Sequence, residues 1–239
     1  LGRPGWHIED TTIILKLLGS RIDIHGGAKE LMFPHHEAEI AQAEAYTDIK
    51  PWVKFWVHTD VLTVNGKKMS KSLGNYITVR DALKVFDSEV LRYWVLLTRY
   101  RHRMDLKLPF DPDPINPIKP EDLIETPIKQ AEQGLERLYN VIRYAQMMPK
   151  DEKPDYESEK IREKLQHMKK EFLEALDDDF DTPKAIATLH EFATLFFKYC
   201  QENEKIDKRL AEQVVNTFRE LGSILGILQK DIMRLSDKR

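Results

Sequence analysis

Lys68-Met69-Ser70-Lys71-Ser72 follows an Asn65-Gly66 turn and runs straight into Leu73-Gly74-Asn75. Two ammonium groups and two hydroxyls within five residues, on a loop beside a hairpin, are suited to gripping a triphosphate. A lysine is a mobile point charge that can follow a phosphate through a change of geometry, and two of them can stabilise the charge that builds on an α-phosphate and a leaving pyrophosphate. Ser70, Ser72 and backbone N–H groups add donors, and Gly74 lets the loop bend. Thr78-Val79-Arg80-Asp81 then reads as a capping box for the next helix. Taken alone, a solvated basic turn explains the same five residues equally well.

Working outward, residues 1–108 mix short apolar runs with glycine-containing turns. Ile22-Asp23-Ile24-His25 before Gly26-Gly27 reads as a buried strand ending in a turn, and Trp56–Thr59 and Val61–Val64 read as strands. The pattern from Glu37 to Tyr46 predicts a helix preceded by Pro34. Pro109, Pro112, Pro114, Pro117 and Pro120 then form a connector that cannot be helical. Beyond Thr126 four apolar stripes recur in steps of three and four: Ile128 to Ala145, Ile161 to Ala175, Ile186 to Cys200, and Leu210 to Leu228 through Ile224. They predict a helical bundle. Thr182-Pro183 supplies a cap and a first-turn proline for the third of these helices. The fold class expected is an α/β partial nucleotide-binding, Rossmann-like domain followed by an all-α helical bundle.

The chain has 239 residues, 41% of them hydrophobic and 32% charged, the make-up of a globular protein of one or two domains. No apolar run approaches the roughly 20 residues of a membrane span, and no signal peptide is visible. One cysteine, Cys200, excludes an internal disulfide and suits a reducing cytosol. The first 118 residues hold 16 Lys+Arg against 15 Asp+Glu, and the rest hold 21 against 25. Nucleic-acid binding therefore has to rest on local basic patches. Arg99, Arg101, Arg103 and Lys107 are the patch the sequence offers, with a solvated helix end as the plain alternative.

Asp10, His35 and Glu39 form a second constellation. His35 and Glu39 are four apart and share one face of a helix. Such a pair can hold Zn²⁺ through nitrogen and carboxylate oxygen, although spacing alone favours an ordinary helix terminus. His36 is expected to point elsewhere and is the weaker ligand candidate. Trp6 offers a flat apolar wall, or simply a core tryptophan. His25-Gly26-Gly27 closes a strand where backbone can approach a ligand.

In order, GWHIE (5–9), DIHGG (23–27), LMFPHHEAEIAQAEA (31–45), WVHT (56–59), KMSKSLGNYITVRDAL (68–83), LRYWVLLTRYR (91–101) and LDDDFDTPKAIATL (176–189) closely resemble the cysteinyl-tRNA synthetase family of class I aminoacyl-tRNA synthetases. The resemblance spans nearly the whole chain, and the ordered set is far more specific than any piece. It implies ATP-dependent activation of cysteine, with Mg²⁺ accompanying the ATP, and transfer to tRNA(Cys) in the cytoplasm. By position, Lys71 and its companion Lys68 fall on the ATP-binding lysines, with Ser70, His25 and Gly26 beside them. Trp6 and His25 fall in the cysteine pocket, and His35, Glu39 and Asp10 fall on zinc ligands. Residues 1–60 correspond to the second half of the catalytic domain, 61–118 to the lysine loop and a connecting helical region, and 119–239 to a tRNA-binding bundle.

There are departures. The family usually has cysteine where this chain has Asp10, which makes a harder site. Ala28 stands where a third glycine is common, and Asp60 where glycine follows the His-Thr pair. No histidine here begins a His-x-Gly-His. That motif belongs to an N-terminal half, so this chain alone is expected to be an inactive fragment with weak zinc occupancy. A non-catalytic tRNA- or protein-binding module, or a related ligase joining cysteine to an amino sugar, are the competing readings.

Overall fold

The computed structural model describes residues 2–152 and 156–231. The chain divides into two compact units, Leu1–Leu62 with Tyr100–Met104, and Thr63–Arg99 with Asp105–Arg239.

The first unit is a β-α-β crossover with a helix ahead of it. Helix α1 spans His7–Leu17, strand β1 Ile22–Ala28, helix α2 Glu37–Thr47 and strand β2 Val53–Thr59. Strands β1 and β2 pair in parallel, from Ile22 opposite Val53 to Ala28 opposite Thr59. A parallel pair needs a crossover of this kind, and α2 is its helix. Between β1 and α2 the chain turns irregularly through Lys29–His36, with Phe33 extended at φ −136° and ψ 133°. The core is Ile22, Ala43, Trp52 and Val53, with Ile14, Ile40 and Trp56 packed against it. Helix α2 ends where Asp48 takes the left-handed conformation at φ 56°, one that a short polar side chain tolerates.

Two sequence expectations change here. Strand β1 does not stop at His25 but continues through both glycines to Ala28. The glycines serve close approach rather than a turn: a Cβ on Gly26 would sit 3.3 Å from the Val57 carbonyl, and one on Gly27 2.8 Å from the His36 ring. Nor is β1 buried on both faces. Ile24 and its register partner Phe55 are 67% and 66% exposed.

The second unit opens with a small sheet in the order β4–β3–β5, where β3 is Leu62–Val64, β4 Lys67–Lys68 and β5 Met104–Leu106. Asn65 and Gly66, at φ 47° and 75°, make the β3–β4 turn, the left-handed pair that a tight hairpin requires. A helical turn at Lys71–Leu73 leads to helices α3, Val79–Ala82, and α4, Ser88–Leu96. Thr78 caps α3 by accepting from the Asp81 N–H, as the sequence expects. The proline connector is irregular until Pro120–Glu125 forms a 3₁₀ turn.

Helices α5 (Pro127–Met147), α6 (Tyr156–Asp177), α7 (Thr182–Glu202) and α8 (Lys208–Leu225) form the bundle, with two-residue strands β6 (Lys150–Asp151) and β7 (Ile206–Asp207) paired between them. The stripes meet as the periodicity predicts, and Phe172, Phe192, Phe196 and Phe218 are fully buried where they converge. Ile224 is the exception at 51% exposed, because α8 ends one residue later and Leu228 turns back into the core instead. The α7 cap is Asp181, accepting from the Lys184 N–H, rather than Thr182, whose hydroxyl donates to the Leu96 carbonyl at 2.7 Å.

Cys200 lies in this core, and burial pushes its thiol up to about 12. Only the thiolate attacks disulfide reagents, so the native chain is expected to show no reactive thiol at pH 8 and one per chain in denaturant. A native thiol titrating within minutes would show that α7 opens readily.

Candidate functional site

Residues of α1, β1, the irregular turn and α2 converge within the first unit. Glu39, on the first turn of α2, is fully buried, as are His35 and His36 just before it. The buried carboxylate is not isolated. Its Oε2 lies 2.6 Å from His25 Nε2 on β1, and its Oε1 lies 2.8 Å from His35 Nε2. Asp10 Oδ2, from α1, reaches the same His35 nitrogen at 3.1 Å. Asp10, His35 and Glu39 therefore present one donor atom each, all within 4.8 Å of one another, and His25, His36 and Glu39 form a second such trio sharing the same carboxylate.

The first trio fits a divalent cation. Glu39 Oε1, although close to His35 Nε2, has no hydrogen bond, and neither does His35 Nδ1. Buried polar atoms are normally paired. An acceptor oxygen facing an imidazole nitrogen without hydrogen-bond geometry is what a shared metal ion explains. Zinc held by nitrogen and oxygen at about 2.0–2.2 Å has ligand atoms roughly 3.3 Å apart around a tetrahedron, close to the spacing here. The donor set contains no sulfur.

Rings wall this cluster. Trp6 stacks on His35 with centroids 3.5 Å apart and planes 13° from parallel, while remaining 56% exposed. It is the wall the sequence allowed, not a core residue. On the strand side His25 stacks on Trp56 at 4.7 Å. His36 does not point elsewhere as expected. It packs against His25 and Trp56, and its Nδ1 lies 2.8 Å from His58 Nε2. Burial, and then the neighbouring imidazoles, hold His36 down at about 4, and burial lowers His58 as well. The His36 imidazole is thus neutral at pH 7. Trp56 and His58 are functional candidates that sequence reasoning missed, and His36, which it ranked as the weaker ligand candidate, joins them. The signal was present: Trp56 and His58 alternate on one face of β2, opposite His25 and Gly27 of β1.

The lysine loop belongs to the second unit. Lys68 ends β4, and Lys71 opens the short helical turn with its Nζ 5.3 Å from the Tyr76 ring centroid. Ser70 and Ser72 hydroxyls lie 2.7 Å apart. Gly74 takes the left-handed conformation at φ 68°, and a Cβ there would lie 2.1 Å from the Asp113 carbonyl. No other residue fits that bend. Of the nucleotide candidates, His25 has Nε2 engaged by Glu39, and Gly26 lies within β1.

The four basic candidates are divided between the units, Arg101 and Arg103 in the first, Arg99 and Lys107 in the second. Arg99 is held by Asp181 at 2.9 Å and Asp178 at 3.6 Å. The Arg101 guanidinium lies 5.0 Å from the Tyr100 ring centroid. Arg103 and Lys107 are exposed.

Residues 1–109 match the tRNA synthetases class I (C) catalytic domain, and residues 171–229 match the DALR domain. The chain is 39% identical to the cysteine--tRNA ligase of Staphylothermus marinus over 99% of its own length and 46% of that protein. It is 40% identical to that of Thermococcus gammatolerans over 95% of its length and 45% of that protein. It spans about half the length of the curated relatives it matches. Among solved structures, the LeuRS–tRNA–LeuAMS ternary complex of Agrobacterium radiobacter superposes with a TM-score of 0.58 at 17% identity, covering 87% of this chain and 28% of that one. A putative arginyl-tRNA synthetase from Campylobacter jejuni gives 0.57 at 15% identity, covering 96% of this chain and 52% of that one. These two likenesses concern the fold. The ordered motifs and these matches agree: residues 1–109 match a class I tRNA synthetase catalytic domain, and nearly the whole chain is similar to just under half of the cysteine--tRNA ligases.

Proposed function

We propose that this chain supplies the metal centre, the lysine loop and the tRNA-facing bundle of an enzyme that activates cysteine with ATP and transfers it to tRNA(Cys). The observation that carries the reading is the convergence of Asp10, His35 and Glu39 on one point, beside a tryptophan and a histidine suited to lining an amino-acid pocket. Bound there, zinc would supply a Lewis acid that takes a thiolate strongly and a serine hydroxyl poorly. Shape alone separates two such similar substrates weakly.

In activation, a carboxylate oxygen of cysteine attacks the α-phosphorus of ATP, and pyrophosphate leaves with its electrons. Lys71, with Lys68, neutralises the charge that gathers on the phosphates in that step. In transfer, a ribose hydroxyl of the terminal adenosine attacks the carbonyl of the adenylate, and AMP leaves. Trp6 stacks on His35 to fix the plane of the ligand ring, and His25 fixes Glu39 through its 2.6 Å contact. Orienting partners of this kind set the affinity of a metal site. Residues 61–118 would carry the loop and residues 119–239 the tRNA contacts.

The test is isotopic exchange between pyrophosphate and ATP in the full-length protein. Exchange is expected to require cysteine, to fail with serine, and to be lost on chelation and restored by zinc. Cysteine-independent or chelator-resistant exchange would overturn the assignment.

A further inference from the structure

The lysine loop is bound at its base by a residue that none of the chemistry above uses. Asn75 is only 2% exposed. Its Oδ1 accepts from the Ser70 N–H at 2.7 Å, and its Nδ2 donates to the Lys68 carbonyl at 3.1 Å. One carboxamide thus ties the backbone on either side of Met69. The residue before it, Gly74, is pressed against the connector: its carbonyl accepts from the Ile118 N–H at 3.3 Å, and its α-carbon lies under the Asp113 carbonyl. Asp113 is itself fixed, its Oδ1 accepting from the N–H groups of Ile115 and Asn116 at 2.7 and 2.8 Å. At the other end of the hairpin, Asn65 binds the same connector, Nδ2 donating to the Phe110 carbonyl and Oδ1 accepting from the Leu108 N–H, both at 2.8 Å.

We propose that Asn75 is a positioning residue for phosphate binding: its carboxamide closes the 68–75 loop into a ring strapped to the proline connector, and so fixes where the two lysines start. The physical case is one of entropy. A five-residue loop carrying two long cationic side chains samples many arrangements, and each must be given up when a triphosphate binds. Two hydrogen bonds from one buried side chain remove much of that freedom beforehand. They act on backbone atoms of Ser70 and Lys68, so they leave the ammonium groups able to swing. The geometry also gives the connector a purpose beyond spanning distance, since its turn at Asp113–Asn116 is the fixed surface against which the loop is held.

This rests on the nucleotide reading of the lysine loop. The experiment compares Asn75→Ala, Asn75→Asp and Lys71→Ala in the full-length protein by pyrophosphate exchange, thermal melting, and hydrogen–deuterium exchange of peptides covering residues 68–76. Asn75→Ala is expected to speed amide exchange in that peptide at least ~10-fold while peptides from α5 are unchanged, because only the loop loses its bonds. It is expected to lower kcat for exchange by about 10- to 100-fold, the range for outer groups that orient a reacting one, with KM for cysteine unchanged and the melting temperature lowered by no more than a few degrees. Asn75→Asp keeps the acceptor for Ser70 but loses the donor to Lys68, and is expected to fall between. Unchanged amide exchange in Asn75→Ala would overturn the proposal. So would faster amide exchange with undiminished kcat. If Lys71→Ala slows the reaction and Asn75→Ala does not, only the positioning role fails. If Lys71→Ala also has no effect, the nucleotide reading fails, and the positioning role with it.

Discussion

Lys71→Ala in the full-length protein is expected to slow cysteine-dependent pyrophosphate exchange by at least ~100-fold, the scale on which one preorganised electrostatic group acts. The structure says why so large a loss need not come from misfolding. Lys71 is exposed at the start of a one-turn helix, its ammonium 5.3 Å from the Tyr76 ring, and an exposed cation–π contact is worth about 0.5–1 kcal/mol. Alanine keeps the helical turn, and the loop backbone is held by Asn75 and Gly74 rather than by the lysine. What the variant loses is a mobile positive charge available to the leaving phosphates. Lys71→Arg keeps the charge in a planar fork on a different stem and is expected to recover only part of the rate. A loss confined to KM for ATP would mean that the lysine grips ground state and transition state alike. An unchanged rate would remove Lys71 from the mechanism.

Much of this was readable from residue order because the determining features are local. The bundle is written in its apolar period, and Leu135, Leu165, Leu189 and Val214 are buried where that period places them. The lysine loop announces itself through a turn, a left-handed glycine and a cap, each with a residue-level reason. His35 and Glu39 share a face because helical spacing makes them do so. What the sequence did not reveal depends on pairing between distant segments. The reach of β1 through Gly26 and Gly27 is set by Val57 and His36, which lie across the register and in the turn. His36 looked peripheral because it is adjacent to His35, but the irregular backbone at Phe33 lets neighbouring side chains enter one cluster. Ile24 and Phe55 are exposed together because they are register partners across the strand pair, a pairing that residue order does not show. The role of Asn75 was invisible because its partners, a backbone N–H and a carbonyl, have no sequence signature.

Glu39→Gln is expected to weaken divalent-metal binding by at least ~100-fold, the upper end of what even an outer-sphere partner is worth, while leaving the metal-free fold intact. Glutamine fills the same volume and keeps an acceptor for His25 Nε2, so the 2.6 Å contact that seats α2 against β1 can persist. Its amide nitrogen, however, cannot ligate, and the charge that draws a cation to a fully buried position is gone. The readout is thermal unfolding of the first unit with and without zinc. At a free concentration of 100 times Kd the ion stabilises the native state by about 2.7 kcal/mol. A 100-fold weaker variant retains about 0.4 kcal/mol under the same conditions, so a shift of several degrees should nearly vanish. Because both trios share Glu39, this variant alone does not distinguish them; Asp10 and His36 do. Asp10→Asn removes a donor from one trio only, His36→Gln from the other. Loss with the first and retention with the second places the ion between Asp10, His35 and Glu39, where the unpaired Glu39 oxygen and the stacked Trp6 ring argue for it. The reverse pattern would move the metal to the strand side of the cluster, against β1, and an unchanged affinity in Glu39→Gln would remove the metal centre from this carboxylate altogether.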